Sequence, residues 1–138
     1  RVQGTNTIAW LNMTGSGNET AAHLRTLNRI TLMWCAFEGK PLILRTYGTA
    51  KVIQKDSPDW DAAISPFPPT PGARQVIVVQ IEIVQTSCGF GVPLMQYEQD
   101  RDTLLHWADK KGEEGIKAYW QEKNTTSIDG IPTGIPEC

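Results

Sequence analysis

The stretch from Arg74 to Thr86 constrains the fold of this chain more than any other segment. It is rich in valine and isoleucine and is nearly continuous in apolar character, which is typical of a strand that is buried on both faces. Such a strand lies in the middle of a sheet, with neighbouring strands on both sides. The sequence therefore predicts a β-rich domain built around this segment.

Three further segments have the composition of strands. They extend over Ile8–Met13, Ile30–Phe37 and Leu42–Gln54, and each is dense in residues that favour extended backbone. Gly48 lies in the middle of the third, and a glycine there usually marks a bulge or a bend where a barrel turns a corner. Long strands joined by hairpins favour an antiparallel barrel over a βαβ array.

Helices are predicted at two places beside these strands. The first begins near Asn18 and continues to about Asn28, and the second is a C-terminal helical segment over residues 100–123 that Gly112 and Gly115 are expected to break into two helices. Between the strands, Lys55 to Gly72 is dense in Asp, Ser and Pro, which predicts loop or polyproline-like backbone with at most one helical turn.

Size and charge limit the class of protein. The 138 residues match one ordinary domain, which we expect to extend over residues 1–138. The formal net charge is −2 and the basic residues are scattered among acidic ones, so binding to nucleic acid is not expected. No apolar run approaches the roughly 20 residues that span a bilayer, so the piece is expected to be soluble and not to be a membrane protein.

The cysteines indicate neither a metal site nor a disulfide framework. Cys35, Cys88 and Cys138 are odd in number and form no CxxC pair. A reducing compartment fits best, so we expect a cytoplasmic protein without a bound metal. Cys88 also has no adjacent base to make it a nucleophile.

The turn over residues 14–20, with the sequence TGSGNET, is the strongest local signal for chemistry. Glycines ahead of a helix let the backbone approach an anion, and the first amides of the helix point at it, so a phosphate would fit there. The alternative is a capping box, in which Ser16 accepts a hydrogen bond from the amide of Glu19 while Glu19 reaches back. Both interpretations remain open, and they can coexist through different amides.

Arg45 is the second candidate for binding. It lies within the apolar stretch from Leu42 to Tyr47, where an unpaired charge would be costly to bury. Its counterpart is either a bound phosphate or a ligand ring edge, or else solvent or a protein carboxylate.

Other polar and aromatic residues give weaker signals. His23 and His106 both lie inside predicted helices and are expected at the helix surface or in packing contacts. The aromatic side chains of the last helix are expected in the core or in dimer contacts. The chain has no paired-carboxylate site, HExxH, GxSxG or P-loop. No catalytic side chain is therefore predicted, and a cofactor would have to supply any chemistry.

Three Asn-x-Thr triplets, at Asn12, Asn18 and Asn124, have the form of glycosylation acceptors. Two of them overlap the turn over residues 14–20. They are the only support for one possible function of the protein, that of a secreted structural glycoprotein.

Several long segments resemble a branch of the pyridoxamine 5′-phosphate oxidase-like proteins. The resemblance is seen in TGSGNETAAHL at residues 14–24, in NRITLMWCAFEGKPLILRTYGT at 28–49, in QTSCGFGVP at 85–93, and in WADKKGEEG and EKNTTSIDG within 107–130. It extends over nearly the whole chain.

This resemblance implies a fold and a cofactor. The fold would be a homodimeric, six-stranded antiparallel split β-barrel of Greek-key type with peripheral helices, and flavin mononucleotide (FMN) would lie in a groove between protomers. The resemblance places Asn12 and Met13 beside the ring or ribityl chain and puts the phosphate near the first strand-turn-helix. The full set of implied FMN-binding residues is Asn12, Met13, Ser16, Gly17, Asn18, Thr20 and Arg45.

The sequence departs from that family in two places. The oxidases themselves have an Arg-Lys pair after the serine of the turn, whereas Gly17 and Asn18 stand here, so the phosphate site would lack its charges. The opening hairpin of the family is also expected to be missing before Arg1. The resemblance favours an FMN-binding oxidoreductase with an unidentified small-molecule substrate and electron donor, and the alternative is a dimeric flavin- or haem-binding protein without turnover.

Overall fold

Five strands and three helices make up the described part of the chain, residues 1–136, in a computed structural model. The predicted tail continues to Cys138, and its last two residues lie outside the described ones. In chain order the elements are β1 (Val2–Gly4), β2 (Thr7–Met13), α1 (Glu19–Thr26), β3 (Ile30–Cys35), β4 (Ile43–Gln54), α2 (Trp60–Ile64), β5 (Ala73–Ser87) and α3 (Thr103–Lys123).

The strands form one antiparallel sheet in the order β1-β2-β5-β4-β3. The longest strand, β5, lies in the middle, as its composition predicts, and the mostly antiparallel α+β class is confirmed. The expected six-stranded split barrel is not confirmed, because the described residues form five strands. Within residues 1–136 no strand joins β1 to β3, so the sheet stays open with those two strands at its edges.

Separate apolar clusters cover the two faces of the sheet. On one face, α2 and the proline-rich segment pack over the sheet around Ala9, Ile53 and Val76. On the other, Leu24 of α1 packs against Ile77 and neighbouring side chains. Alternating residues of β5 therefore enter different cores, because successive side chains on a strand point to opposite faces.

Gly48 marks a bulge, as predicted. The register between β4 and β5 shifts between Tyr47 and Gly48. A Cβ atom at Gly48 would overlap the backbone carbonyl of Gln80, so the close approach of β4 and β5 requires glycine at this position.

The C-terminal helix α3 is broken once. Gly112 has φ 66° and ψ 173°, which are non-helical and confirm one predicted break. Gly115 continues the helix, so the predicted break there is wrong. Ala108, Ile116 and Trp120 of α3 form a third apolar cluster together with Ile135.

The distal half of β5 is exposed, contrary to the expectation of burial along its whole length. Residues 73–77 and 79 are buried, but Ile83 and Val84 are each 61% exposed. The reason is that β2 begins only at Thr7, which pairs with Gln80. Beyond that point β5 has β4 on one side and no strand on the other among the described residues.

No described helix combines the length and apolar character needed to cross a bilayer.

Candidate functional site

The turn over residues 14–18, between β2 and α1, is fixed at its first residue. Thr14 donates two hydrogen bonds to the carbonyl oxygen of Gly72, one from its backbone N–H and one from Oγ1, each 2.8 Å long. The indole Nε1 of Trp120 donates to Thr14 Oγ1 at 2.8 Å. Thr14 is 1% exposed, so the turn begins from a rigid, buried point.

Arg74 lies directly behind this turn and is only 3% exposed. Its Nε and Nη2 atoms donate to Asn12 Oδ1 at 3.1 and 2.8 Å. Its Nη1 donates to Asn124 Oδ1 at 2.7 Å and to the carbonyl oxygen of Gly17 at 3.0 Å. The guanidinium therefore ties the end of β2, the turn and the segment after α3 to one group.

A β-bulge puts Arg74 in this position. Asn12 pairs with Gln75 and Met13 pairs with Ala73, so Arg74 is the extra residue of β5 opposite this step. A bulge re-aims the side chain of the additional residue. Without the bulge, the side chain of Arg74 would point in the direction set by the regular alternation of side chains along β5.

The positive charge of Arg74 has no carboxylate partner among the described residues. All of its acceptors are neutral amide oxygens, and it takes part in no salt bridge of residues 1–136. Burial lowers the pKa of the guanidinium to about 10, because water no longer stabilises its charged form. Even so, the group stays charged at neutral pH.

Gln75 and Asn18 extend the polar network to the start of α1. Gln75 Nε2 donates to Asn18 Oδ1 at 2.8 Å and to Asn12 Oδ1 at 3.2 Å. Asn18 is 3% exposed, yet its Nδ2 atom has no hydrogen-bond partner. A buried donor without an acceptor costs stability, and it is the kind of group that a ligand satisfies.

The backbone of the turn points its carbonyl groups inward. Asn124 Nδ2 donates to the carbonyl oxygen of Gly15 at 2.9 Å, and Arg74 holds that of Gly17. The N–H groups of residues 15–18, in contrast, donate to no acceptor in the described part of the chain. Successive unpaired N–H groups that lead into a helix form a concave site for an anion.

The predicted capping box does not form. The residue that caps α1 is Asn18, and it makes no side-chain cap hydrogen bond. The carboxylate of Glu19 accepts instead from the backbone N–H of Ile128, at 3.1 and 3.3 Å. Ser16 lies too far ahead of the first helical residue to act as the cap and is exposed. The helix start thus bonds to the C-terminal loop rather than to itself.

The structure brings together six of the seven residues predicted to bind FMN. Asn12 and Met13 end β2, and Ser16, Gly17, Asn18 and Thr20 follow within the turn and first helical turn, with Ser16 and Thr20 exposed.

Arg45 lies elsewhere. It is opposite Gln85, whereas Met13 is opposite Ala73, twelve residues away along β5, which corresponds to roughly 40 Å of strand. Its Nη1 donates to Ser87 Oγ at 2.9 Å. One protomer therefore does not bring Arg45 to the turn.

The three Asn-x-Thr asparagines converge on the Arg74 network. Asn12 and Asn124 accept hydrogen bonds from Arg74, and Asn18 accepts one from Gln75. Asn18 and Asn124 are 3% and 0% exposed, so a folded chain has no room for a glycan on either. These two positions belong to the interior, which removes two of the three triplets that supported the glycoprotein interpretation.

The remaining candidates behave as packing or surface groups. His23 and His106 are exposed on α1 and α3, as predicted. Trp107 and Tyr119 make an edge contact with ring centroids 5.1 Å apart, and Trp120 is 4% exposed. Cys35 and Cys88 are free thiols.

Sequence reasoning did not identify Arg74, Gln75 and Asn124 as site residues. The argument that selected Arg45, a charge inside an apolar strand, applies equally to Arg74, which opens the most apolar strand of the chain. Asn124 was visible only as part of a triplet, and its role depends on a contact with Gly15 across 109 residues.

Comparison with known proteins gives one informative result. No protein-family profile matches the chain. Over 142 aligned residues, however, it is 34% identical to the "pyridoxamine 5′-phosphate oxidase family protein ustO" of Aspergillus flavus. The match includes 91% of this chain and 56% of that relative, so the chain spans about half of the relative's length. The family suggested by the sequence is thereby confirmed: the chain belongs to the pyridoxamine 5′-phosphate oxidase family.

Proposed function

We propose that this chain binds the phosphate end of FMN at the turn over residues 14–18 and forms the flavin-binding part of an oxidoreductase. The observation that carries the proposal is the guanidinium of Arg74, which is buried directly behind the turn and has no carboxylate within residues 1–136 to neutralise it. Membership of the family supports the choice of flavin over other phosphate ligands.

Arg74 supplies the charge that the turn lacks at its surface. Gly17 and Asn18 stand where the resembled oxidases have an Arg-Lys pair. Here the positive charge belongs to the guanidinium of Arg74, which donates a hydrogen bond to the carbonyl oxygen of Gly17 from the inner side of the turn. Electrostatic attraction across a dehydrated interior is screened less than attraction across water, so a buried cation favours an anion in front of the turn.

The groups that face outward fit a phosphate. The N–H groups of residues 15–18 and the exposed hydroxyls of Ser16 and Thr20 are all donors, and the unpaired Nδ2 of Asn18 is a further donor buried beneath them. Asn12 and Met13, at the end of β2, would lie beside the ribityl chain or ring. When bound, FMN supplies hydride or electron transfer through its isoalloxazine ring, and no side chain of the turn has to act as an acid or base.

A homodimer is part of the proposal. Beyond Gln80 the sheet is open on both faces, with Met33, Ile83 and Val84 each more than half exposed. Arg45 lies in this open part, about a strand's length from the turn of its own protomer. A second copy packed against the distal end of the sheet would cover the apolar side chains and bring Arg45 into the flavin groove between protomers.

Binding of FMN and of riboflavin, which lacks the phosphate, tests the phosphate site directly. Quenching of flavin fluorescence on titration with the purified chain gives both affinities. We expect FMN to bind at least about tenfold more tightly than riboflavin, a difference of about 1.4 kcal/mol. Equal affinities would overturn the proposal.

Asn12→Asp separates the charge of Arg74 from its structural role. Asn12 uses only Oδ1 in the network, as an acceptor, so an aspartate keeps the hydrogen bonds and neutralises the guanidinium. We expect the variant to fold as well as the parent chain and to lose most of its preference for FMN over riboflavin. An unchanged preference would show that Arg74 does not act on the ligand.

Reduction of the bound flavin distinguishes an enzyme from a carrier. A nicotinamide donor mixed with the FMN complex in a stopped-flow instrument should bleach the flavin absorption if the protein is an oxidoreductase. Stable yellow colour with every donor, or a haem spectrum in the purified protein, would favour the alternative of a flavin- or haem-binding protein without turnover.

A further inference from the structure

Three potential metal ligands meet on the surface beside the turn. Glu19 and His23 are one helical turn apart on α1, and Asp129 belongs to the loop after α3. His23 Nε2 and Asp129 Oδ2 are 3.0 Å apart. One ligand atom from each of the three residues lies within 4.8 Å of the others.

Backbone contacts hold this arrangement, in addition to the contact between His23 and Asp129. The loop that carries Asp129 is closed by hydrogen bonds from Ser127 N to the carbonyl oxygen of Ile131 at 2.9 Å and from Gly130 N to that of Ser127 at 3.0 Å. Ile128 N donates to the Glu19 carboxylate. A tight turn therefore places Asp129 beside α1, and the position of this turn does not depend on His23.

We propose that Glu19, His23 and Asp129 bind a divalent transition-metal cation, with Zn²⁺ as the type ion. One imidazole nitrogen and two carboxylate oxygens are ligands that Zn²⁺ accepts, with metal-ligand distances of about 2.0–2.2 Å and water in the fourth position. Tetrahedral ligands at those distances lie about 3.3 Å apart, which small rotations of the half-buried Glu19 side chain and of the exposed His23 and Asp129 side chains reach from the observed spacing. The two carboxylates neutralise the charge of the ion.

Because the site lies beside the turn over residues 14–18, a bound ion changes the electrostatic potential at that turn. Glu19 directly follows Asn18, and its negative charge opposes an anion in front of the turn. A bound cation cancels this negative charge at the start of α1 and so removes the repulsion. This consequence rests on the proposed phosphate site, whereas the metal site itself does not.

Calorimetric titration of the flavin-free full chain with Zn²⁺ tests the metal site. Thiols compete for Zn²⁺, so the parent for all variants carries serine at Cys35, Cys88 and Cys138. We expect one ion per chain, and a loss of affinity of at least about tenfold in His23→Gln and in Asp129→Asn. Each substitution is at an exposed position, and the circular dichroism of each variant reports that the fold is retained.

His106 provides the matched control. It faces Asp102 across one turn of α3 at 3.6 Å, with both side chains exposed, but the described residues offer no third ligand there. His106→Gln should leave Zn²⁺ affinity within about twofold of the parent. Absence of stoichiometric binding, or an equal loss in His106→Gln and His23→Gln, would overturn the metal site and leave the His23–Asp129 pair as a surface ion pair.

A second titration, of FMN with and without Zn²⁺, separates the two proposals. Reciprocal linkage requires that an ion that favours the phosphate also binds more tightly in its presence. We expect Zn²⁺ to tighten FMN binding several-fold in the parent and not in His23→Gln. If the chain binds Zn²⁺ but not FMN, the proposed function alone is refuted. If the chain binds FMN in the presence of a chelator but does not bind Zn²⁺, the metal site alone is refuted.

Discussion

Arg74 and Asn124 share a 2.7 Å hydrogen bond in the interior of the protein, although fifty residues separate them in the chain. Asn124 also makes two further hydrogen bonds. Its Nδ2 donates to the carbonyl oxygen of Gly15, and its backbone carbonyl oxygen accepts from Thr133 Oγ1. The two residues thereby connect the central strand, the turn and the C-terminal loop, and the geometry of the candidate site depends on all three.

Arg74→Lys should destabilise the fold strongly. Lysine carries three donors on a single nitrogen and cannot reach Asn12, Gly17 and Asn124 together, so buried acceptors lose their partners. We expect a decrease of about 2–4 kcal/mol in the free energy of unfolding, measured by urea denaturation. Arg45→Lys is the control, since among the described residues Arg45 donates only to Ser87, and its cost should stay below about 1 kcal/mol. Equal costs would contradict the central role of Arg74.

Gly48→Ala should disrupt the contact between β4 and β5. The added methyl group would overlap the carbonyl group of Gln80, and neither backbone can move without breaking ladder hydrogen bonds. We expect a loss of about 1–3 kcal/mol or more, seen as a lower melting temperature. Gly91→Ala meets no atom within 4 Å and should leave the melting temperature nearly unchanged. A tolerated Gly48→Ala would mean that the two strands are farther apart than described.

Trp120→Phe removes the N–H group that donates to Thr14 Oγ1 while keeping an aromatic ring in the cluster. The lost hydrogen bond should cost about 1 kcal/mol, in addition to the effect of the smaller ring, as measured by chemical denaturation. Trp107→Phe makes the same change in size, and the indole N–H of Trp107 has no partner within residues 1–136. A larger cost for Trp107→Phe than for Trp120→Phe would refute the importance of the Thr14 contact.

Ile83→Asp tests the proposed dimer. Ile83 is 61% exposed on the distal part of β5, so an aspartate there should not disturb the isolated chain but would bury a charge in a dimer interface. We expect a dimer for the parent and a monomer for the variant in sedimentation analysis across the micromolar range. Ile128→Asp, at a 91% exposed position in the loop after α3, should remain dimeric. A monomeric parent chain would remove this part of the proposal.

The sequence predicted the elements of the fold well where local composition decides them. The central position of β5, the bulge at Gly48 and the break at Gly112 follow from apolar density and from the backbone freedom of glycine, and all three are confirmed. The number of strands and the closure of the sheet depend instead on pairing between distant segments, which composition does not encode. The short strand β1 has no strong pattern of its own and was not predicted.

The site was predictable only in part. Glycines before a helix pointed to the turn, but the side chains that support it come from β5 and from the loop after α3. The bulge that aims Arg74 inward depends on a register between β2 and β5, and the contact that diverts Glu19 from capping comes from Ile128. Both are tertiary contacts that override a local preference.

The hydrogen bonds of Trp120 and Asn124 to the turn also determine when the turn can become ordered during synthesis. The five strands of the described residues are complete once residue 87 has left the ribosome, so the sheet has its full set of strands before α3 has emerged. A further 37 residues, counted from Ser87 to Asn124, must follow before the carbonyl oxygen of Gly15 in this turn can accept its hydrogen bond. A chain released early would keep its strands but leave Arg74 without one of its acceptors, so the turn would lack the order that the complete network gives it.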